Sequence, residues 1–162
     1  MPLRTGDIVP KIRLYNQERK LSVLICEKFK VHLIAFFPGA FTDLCTEGIR
    51  IIDNYLDDLD LNLLRIVGVT VDSPFVLEKW AEENRIRFDL LSDSKLNCIN
   101  TFGAGFTGLA GMENYESANR AVFITDGSGC ILYDWVGKHP GDTPDYEEIL
   151  TKAQSLCELP TQ

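Results

Sequence analysis

Histidine is scarce in this sequence, and closely spaced cysteines, basic clusters and long apolar runs are missing from it. The two histidines, His32 and His139, have no second ligand type at metal-binding spacing, so no metal site is expected. His32 falls inside an apolar run and reads as a satisfied core or sheet residue. Five cysteines, Cys26, Cys45, Cys98, Cys130 and Cys157, are scattered along the chain without a C-x-x-C pair. An odd, dispersed set argues against a disulfide scaffold, a zinc knuckle and a thioredoxin-type dithiol. Sixteen basic against twenty-four acidic residues give a net charge of −8, which disfavours nucleic acid and anionic membrane surfaces as partners. No stretch supplies the roughly 18 apolar residues of a membrane span, and residues 1–20 lack a charged-then-apolar export pattern. A cytosolic protein is expected.

What the chain does have is apolar content, 45% of 162 residues, enough for one globular domain across residues 1–162 with a sizeable core. It is organised around Val31 to Ile52. Val31 to Phe37 is an apolar run rich in β-branched and aromatic residues, closed by Pro38 and Gly39, and predicts a buried strand. The period then changes. Cys45, Gly48, Ile49, Ile52, Leu56 and Leu59 recur at helical spacing, and Thr42 or Asp43 supplies an N-cap, so a helix begins just before Cys45 and runs to about Asp58.

A cysteine in the first turn of a helix is a candidate nucleophile. Unpaired N–H groups and the positive end of the helix dipole favour an anion there. Thr42, three residues earlier, has a hydroxyl within reach of that sulfur or of an oxygen bound beside it. Pro38 offers a rigid, donor-free ring that shields the thiol from water. The competing reading of Cys45 is a small buried apolar residue, the usual fate of a free cysteine.

The spacing P-x-x-x-T-x-x-C, carried by Pro38, Thr42 and Cys45 between an apolar strand and an amphipathic helix, resembles the signature of the peroxiredoxin family. The fuller string PGAFTDLC is similar to that of short peroxiredoxins, and Gly6, Asp7 and Pro10 are similar to the family's opening G-D-x-x-P. The resemblance implies a thioredoxin-like fold and a thiol-dependent peroxidase in which Cys45 attacks a hydroperoxide and becomes a sulfenic acid.

The rest of the chain agrees with that plan. A two-strand entry, Lys11 to Tyr15 and Leu21 to Cys26, is followed after the central helix by a buried strand, Leu63 to Val71. Ser73-Pro74 opens a helix through Trp80 to about Asn84, Arg87 to Leu91 forms a short strand, and Ser92 to Ser94 caps a brief helix containing Cys98. Strand and helix alternate here, which implies a mostly parallel sheet with right-handed crossovers. Gly103 to Asn119 is glycine-rich, aperiodic and predicted as a loop. It has neither the GK[ST] of a P-loop nor a dinucleotide fingerprint, so no nucleotide cofactor is expected. Phe102 and Phe106 would give it an exposed apolar anchor. Arg120 to Thr125 and Cys130 to Val136 form a β-hairpin, and Thr143-Pro144 opens a last helix through about Leu156. The fold class is α/β, a central mixed sheet flanked by helices.

On the residues alone, Arg120 is open between a surface charge and a site residue. The run ANRAVFITDGSG is similar to the segment that holds the active-site arginine of peroxiredoxins, which implies that Arg120 stabilises the thiolate and the peroxide oxygens. The family has an acidic or amide side chain three residues after the cysteine, where this chain has Gly48, with Glu47 one position earlier. The family's sites for a second, resolving cysteine are empty: Arg50 stands five residues after Cys45, no cysteine lies near Trp80, and no Val-Cys-Pro-like tail follows. A one-cysteine cycle with an external thiol, thioredoxin, glutaredoxin or a small thiol, is therefore expected, against resolution by Cys98, Cys130 or Cys157 or an intermolecular disulfide. Thiol-disulfide exchange and redox sensing are the rival activities. The resemblance also implies pairing of two copies, a homodimer, through loops carrying Phe41, Phe102 and Phe106, with a monomer as the alternative.

Overall fold

The apolar run at Val31 folds into the middle of a seven-stranded sheet. The computed structural model describes residues 2–160. In chain order it contains β1 (Arg13–Asn16), β2 (Leu21–Val23), β3 (Val31–Phe36), α1 (Asp43–Tyr55), β4 (Leu64–Thr70), α2 (Pro74–Asn84), β5 (Asp89–Ser92), α3 (Asn97–Thr101), β6 (Gly105–Thr107), β7 (Glu116–Ala118), β8 (Ala121–Asp126), β9 (Ile131–Val136) and α4 (Tyr146–Cys157). The sheet order is β2-β1-β5-β4-β3-β8-β9. β3, β4 and β5 are parallel, joined by α1 and α2, while β1, β8 and β9 are antiparallel to their neighbours. The mixed sheet flanked by helices that the sequence predicts is the one found.

Both faces of the sheet are covered, which is why all six residues of β3 are buried. On one face Leu33, Ala35 and Phe37 meet Ile49 and Ile52 of α1, Leu77 and Trp80 of α2, and Ile149 and Leu150 of α4. On the other, Ile34 and Phe36 pack with Cys98, Ile99, Phe102 and Phe123. Each large side chain so buried contributes about 1.5–3 kcal/mol of transfer free energy. Ser73 caps α2, its hydroxyl accepting from Val76 N at 3.3 Å with Pro74 at the first helical position.

Three sequence expectations change. The stretch from Gly103 to Asn119 is not simply a loop, since β6 and β7 pair antiparallel within it; three-residue strands are too short to show a period. Phe102 is no exposed anchor. It is fully buried, with ring centroids 5.1 Å from Phe36 and 4.8 Å from Phe123, because the turn after α3 brings it under the sheet. The last helix starts at Tyr146, with Asp145 as N-cap accepting from Glu148 N at 3.1 Å, so Thr143-Pro144 precede the helix. His32 is buried as expected, but only half satisfied. Its Nε2 accepts from Cys26 N at 3.0 Å, Nδ1 has no partner, and burial pushes its value down to about 4.

Candidate active site

The site assembles at the carboxyl end of β3. Pro38 ends the strand, and the turn that follows is pinned by Ala40 N donating to Asp72 Oδ2 at 2.8 Å. Phe41 sits at φ 67°, a left-handed conformation costly for a bulky residue and held here by the surrounding bonds. Thr42 is the backbone N-cap of α1, but its side chain does not cap. The hydroxyl donates to Gly39 O at 2.8 Å, leaving its lone pairs free to accept. Cys45 is the third helical residue and fully buried, among N–H groups that have no partner inside the helix. Trp80 Nε1 donates to Thr46 Oγ1 at 3.0 Å and ties this first turn to α2.

Arg120 arrives from the neighbouring strand. β8 runs antiparallel to β3 with Ala121 opposite Phe36, so the residue just before β8 lands beside the residues just after β3. It is 2% exposed. Its backbone is fixed by Asn119, whose side chain accepts from Arg120 N at 2.8 Å and donates to Gly137 O at 2.6 Å. Its guanidinium donates from Nε (3.2 Å) and Nη2 (3.0 Å) to Pro140 O, and from Nη1 to Cys45 Sγ at 3.5 Å. A buried cation is thus held against the sulfur by a carbonyl that takes none of its charge, in position to meet negative charge there. A cavity of about 480 Å³ opens beside Arg120, lined by Pro38, Thr42, Leu44, Phe106, Leu109 and Arg120, among others, with Cys45 buried behind this lining. The structure therefore brings Pro38, Thr42, Cys45 and Arg120 to one place. Pro140 and the exposed His139, which line the same cavity, were not foreseen; nothing in their local sequence marks them. Glu47 is exposed and does not reach Arg120.

The other cysteines lie elsewhere. Cys98 is fully buried on the opposite face of the sheet, and burial, with Asp93 adding to it, pushes its thiol well up. Cys157 ends α4, where Lys30 Nζ reaches its carbonyl, and burial pushes it up too. Cys130 heads β9 near Gly6, and Cys26 precedes β3. These last three sit at the Val31 end of the sheet, so the six residues of β3, about 20 Å of strand, separate them from Cys45.

Known proteins fit this picture. A family model described as the AhpC/TSA family matches residues 5–134. A peroxiredoxin Bcp of Escherichia coli is 30% identical over 131 residues, which cover 80% of this chain and 83% of that protein. A thiol peroxidase of Oceanobacillus iheyensis is 28% identical over 149 residues, 91% of this chain and 87% of that protein. In solved structures the same fold is found in a peroxiredoxin-like protein of Aquifex aeolicus, with TM-score 0.84, 21% identity and coverage of 96% of this chain and 89% of that one. PrxQ of Xylella fastidiosa also shares it, at TM-score 0.84, 18% identity, and 98% and 99% coverage. The chain belongs to the AhpC/TSA family and is a peroxiredoxin, a thiol-dependent peroxidase with the thioredoxin-like fold.

Proposed function

We propose that Cys45 is the peroxidatic residue of a one-cysteine cycle, and that Arg120, Thr42 and Pro38 serve it. The thiolate attacks one peroxide oxygen; an S–O bond forms, the O–O bond breaks, and the electron pair leaves on the second oxygen, which takes up a proton as water or alcohol. Sulfur is oxidised by two electrons, the peroxide reduced by two. Arg120 and the free N–H groups at the start of α1 hold the negative oxygens, while the Thr42 lone pairs accept the peroxide O–H. Pro38 bounds the cavity without a competing donor. The observation that carries this reading is the 3.5 Å contact between buried Arg120 Nη1 and buried Cys45 Sγ.

The positions of the remaining cysteines support an external reductant, thioredoxin, glutaredoxin or a small thiol. A disulfide needs Cα atoms within about 7 Å; Cys26, Cys130 and Cys157 at the Val31 end of the sheet are far beyond that, and Cys98 is buried on the other side of the sheet from Cys45. Five free thiols suit a reducing, cytosolic setting. Exposed Phe41 and half-buried Phe106 support pairing of two copies through this loop face, to which the buried Phe102 contributes nothing.

The test is intact mass after one equivalent of hydrogen peroxide, with dimedone present and a non-reducing gel alongside. One dimedone adduct on Cys45, lost in Cys45→Ser and accompanied by no disulfide, is expected. A disulfide would replace the one-cysteine cycle and name its resolving residue.

A further inference from the structure

Among the side chains packed around Cys45, one has a polar atom with nothing to bond. Tyr146, the first residue of α4, is 5% exposed, and its hydroxyl is shut off from solvent without a hydrogen-bond partner. Buried phenols normally find one. The ring has little freedom. It stacks on Phe37 at 6.2 Å between centroids and 26° between planes, and it fills the space over Gly48. A methyl group at Gly48 would stand 3.2 Å from Tyr146 Cε2, 3.3 Å from Tyr146 Oη and 3.0 Å from Phe37 Cε1. Gly48 lies one turn beyond Cys45 on the same face of α1, so the phenol hangs over the turn that carries the sulfur. Burial pushes this phenol up to about 12, while the charge of Arg120 and its capacity to hydrogen-bond the phenol pull the other way and Cys45 adds to the rise. It stays neutral throughout the working range.

Arg120 has donors to spare. A guanidinium carries five N–H groups. Nε and one N–H of Nη2 go to Pro140 O, and one N–H of Nη1 goes to Cys45 Sγ. One N–H on each Nη nitrogen remains, and the phenol oxygen over Gly48, one turn from Cys45, is the unpartnered acceptor on that side of the site.

We propose that Tyr146 is a positioning residue for Arg120: when peroxide is bound, its phenol oxygen accepts one spare guanidinium N–H and so aims the other at the peroxide oxygens beside Cys45. A neutral oxygen suits this task because it orients the cation without competing with the thiolate for its charge. The proposal rests on the peroxidatic reading of Cys45.

Tyr146→Phe keeps the ring and its stacking and removes only the oxygen. Formation of sulfenic acid is followed by stopped flow against pH, and the melting temperature is measured on the same samples. The variant is expected to react about 10-fold more slowly, with the acid limb of its rate profile moved to higher pH and its melting temperature unchanged or raised, since an unpaired buried hydroxyl has gone. In an Arg120→Lys background the same change should alter the rate by less than about 2-fold, because the group it acts through is missing. Tyr146→Phe reacting as fast as wild type, or slowing the Arg120 and Lys backgrounds equally, would overturn the proposal. A wild-type protein whose Cys45 does not react at all would overturn the peroxidatic reading itself, and this assignment with it.

Discussion

Cys45 and Cys98 invite comparison, for both are fully buried and both lie in the first turn of a helix. Their surroundings have opposite signs. At Cys45 the first-turn N–H groups of a 13-residue helix have no partner inside it, and a buried arginine stands 3.5 Å from the sulfur. At Cys98 the helix has five residues, and the Asp93 carboxylate has already taken the N–H groups of Cys98, at 3.2 Å, and Ile99, at 2.7 Å. Similar places in two helix starts therefore set one sulfur against a cation and the other beside a carboxylate. A helix start is an anion site only while its donors remain unclaimed.

The largest effect that separates the two is loss of the sulfur itself. Cys45→Ser should abolish peroxide consumption, while Cys98→Ser should keep the rate within about 2-fold of wild type; a Cys98 variant as dead as the Cys45 variant would end the comparison. Next comes the cation. Arg120→Met should lower the rate of sulfenic acid formation by about 100-fold or more, read by stopped flow. A smaller change would mean that the helix start alone activates Cys45, and that Cys98 differs only by its carboxylate.

The smallest effect is on stability. Asp93→Ala strands two buried N–H groups and should cost about 2 kcal/mol in denaturant unfolding, with peroxide reactivity retained. Acid gives a second reading of the same residue. Burial raises the Asp93 carboxyl in the folded protein. Between the ordinary carboxylate range and that raised value the folded state binds more protons than the unfolded state, so the stability that burying the Asp93 charge costs at neutral pH returns as the pH falls. The difference between wild type and Asp93→Asn should thus move in favour of wild type on acidification. The opposite slope would show that Asp93 is held charged by the α3 donors after all.

The half of the candidate site on α1 was legible in the sequence because it is local. Strand, Pro-Gly break, Thr42 and Cys45 fall within a dozen or so residues, and each carries its meaning in its own neighbourhood. Arg120 is 75 residues from Cys45, and only the likeness of ANRAVFITDGSG to a family segment connected them. Phe102 was misplaced because its glycine-rich surroundings suggested an exposed loop, whereas pairing of β6 with β7 and packing between Phe36 and Phe123 are tertiary outcomes. Tyr146 went unnoticed for a related reason. Thr143-Pro144 set the expected helix start two residues early, which hides that Tyr146 stands at the helix entrance. An aromatic residue with a polar tip, just after an Asp N-cap, was the available signal.

The antiparallel pairing of β8 with β3 bears on synthesis as well as on chemistry. On a ribosome, Cys45 emerges long before Arg120, and until the later strand docks against the earlier one the sulfur has no cation beside it. On the proposed peroxidatic reading of Cys45, a nascent or partly unfolded chain carries a thiol of ordinary reactivity, and rapid capture of peroxide arrives only with the finished sheet. Oxidant sensitivity at that one atom then doubles as a gauge of how much of the protein is fully folded.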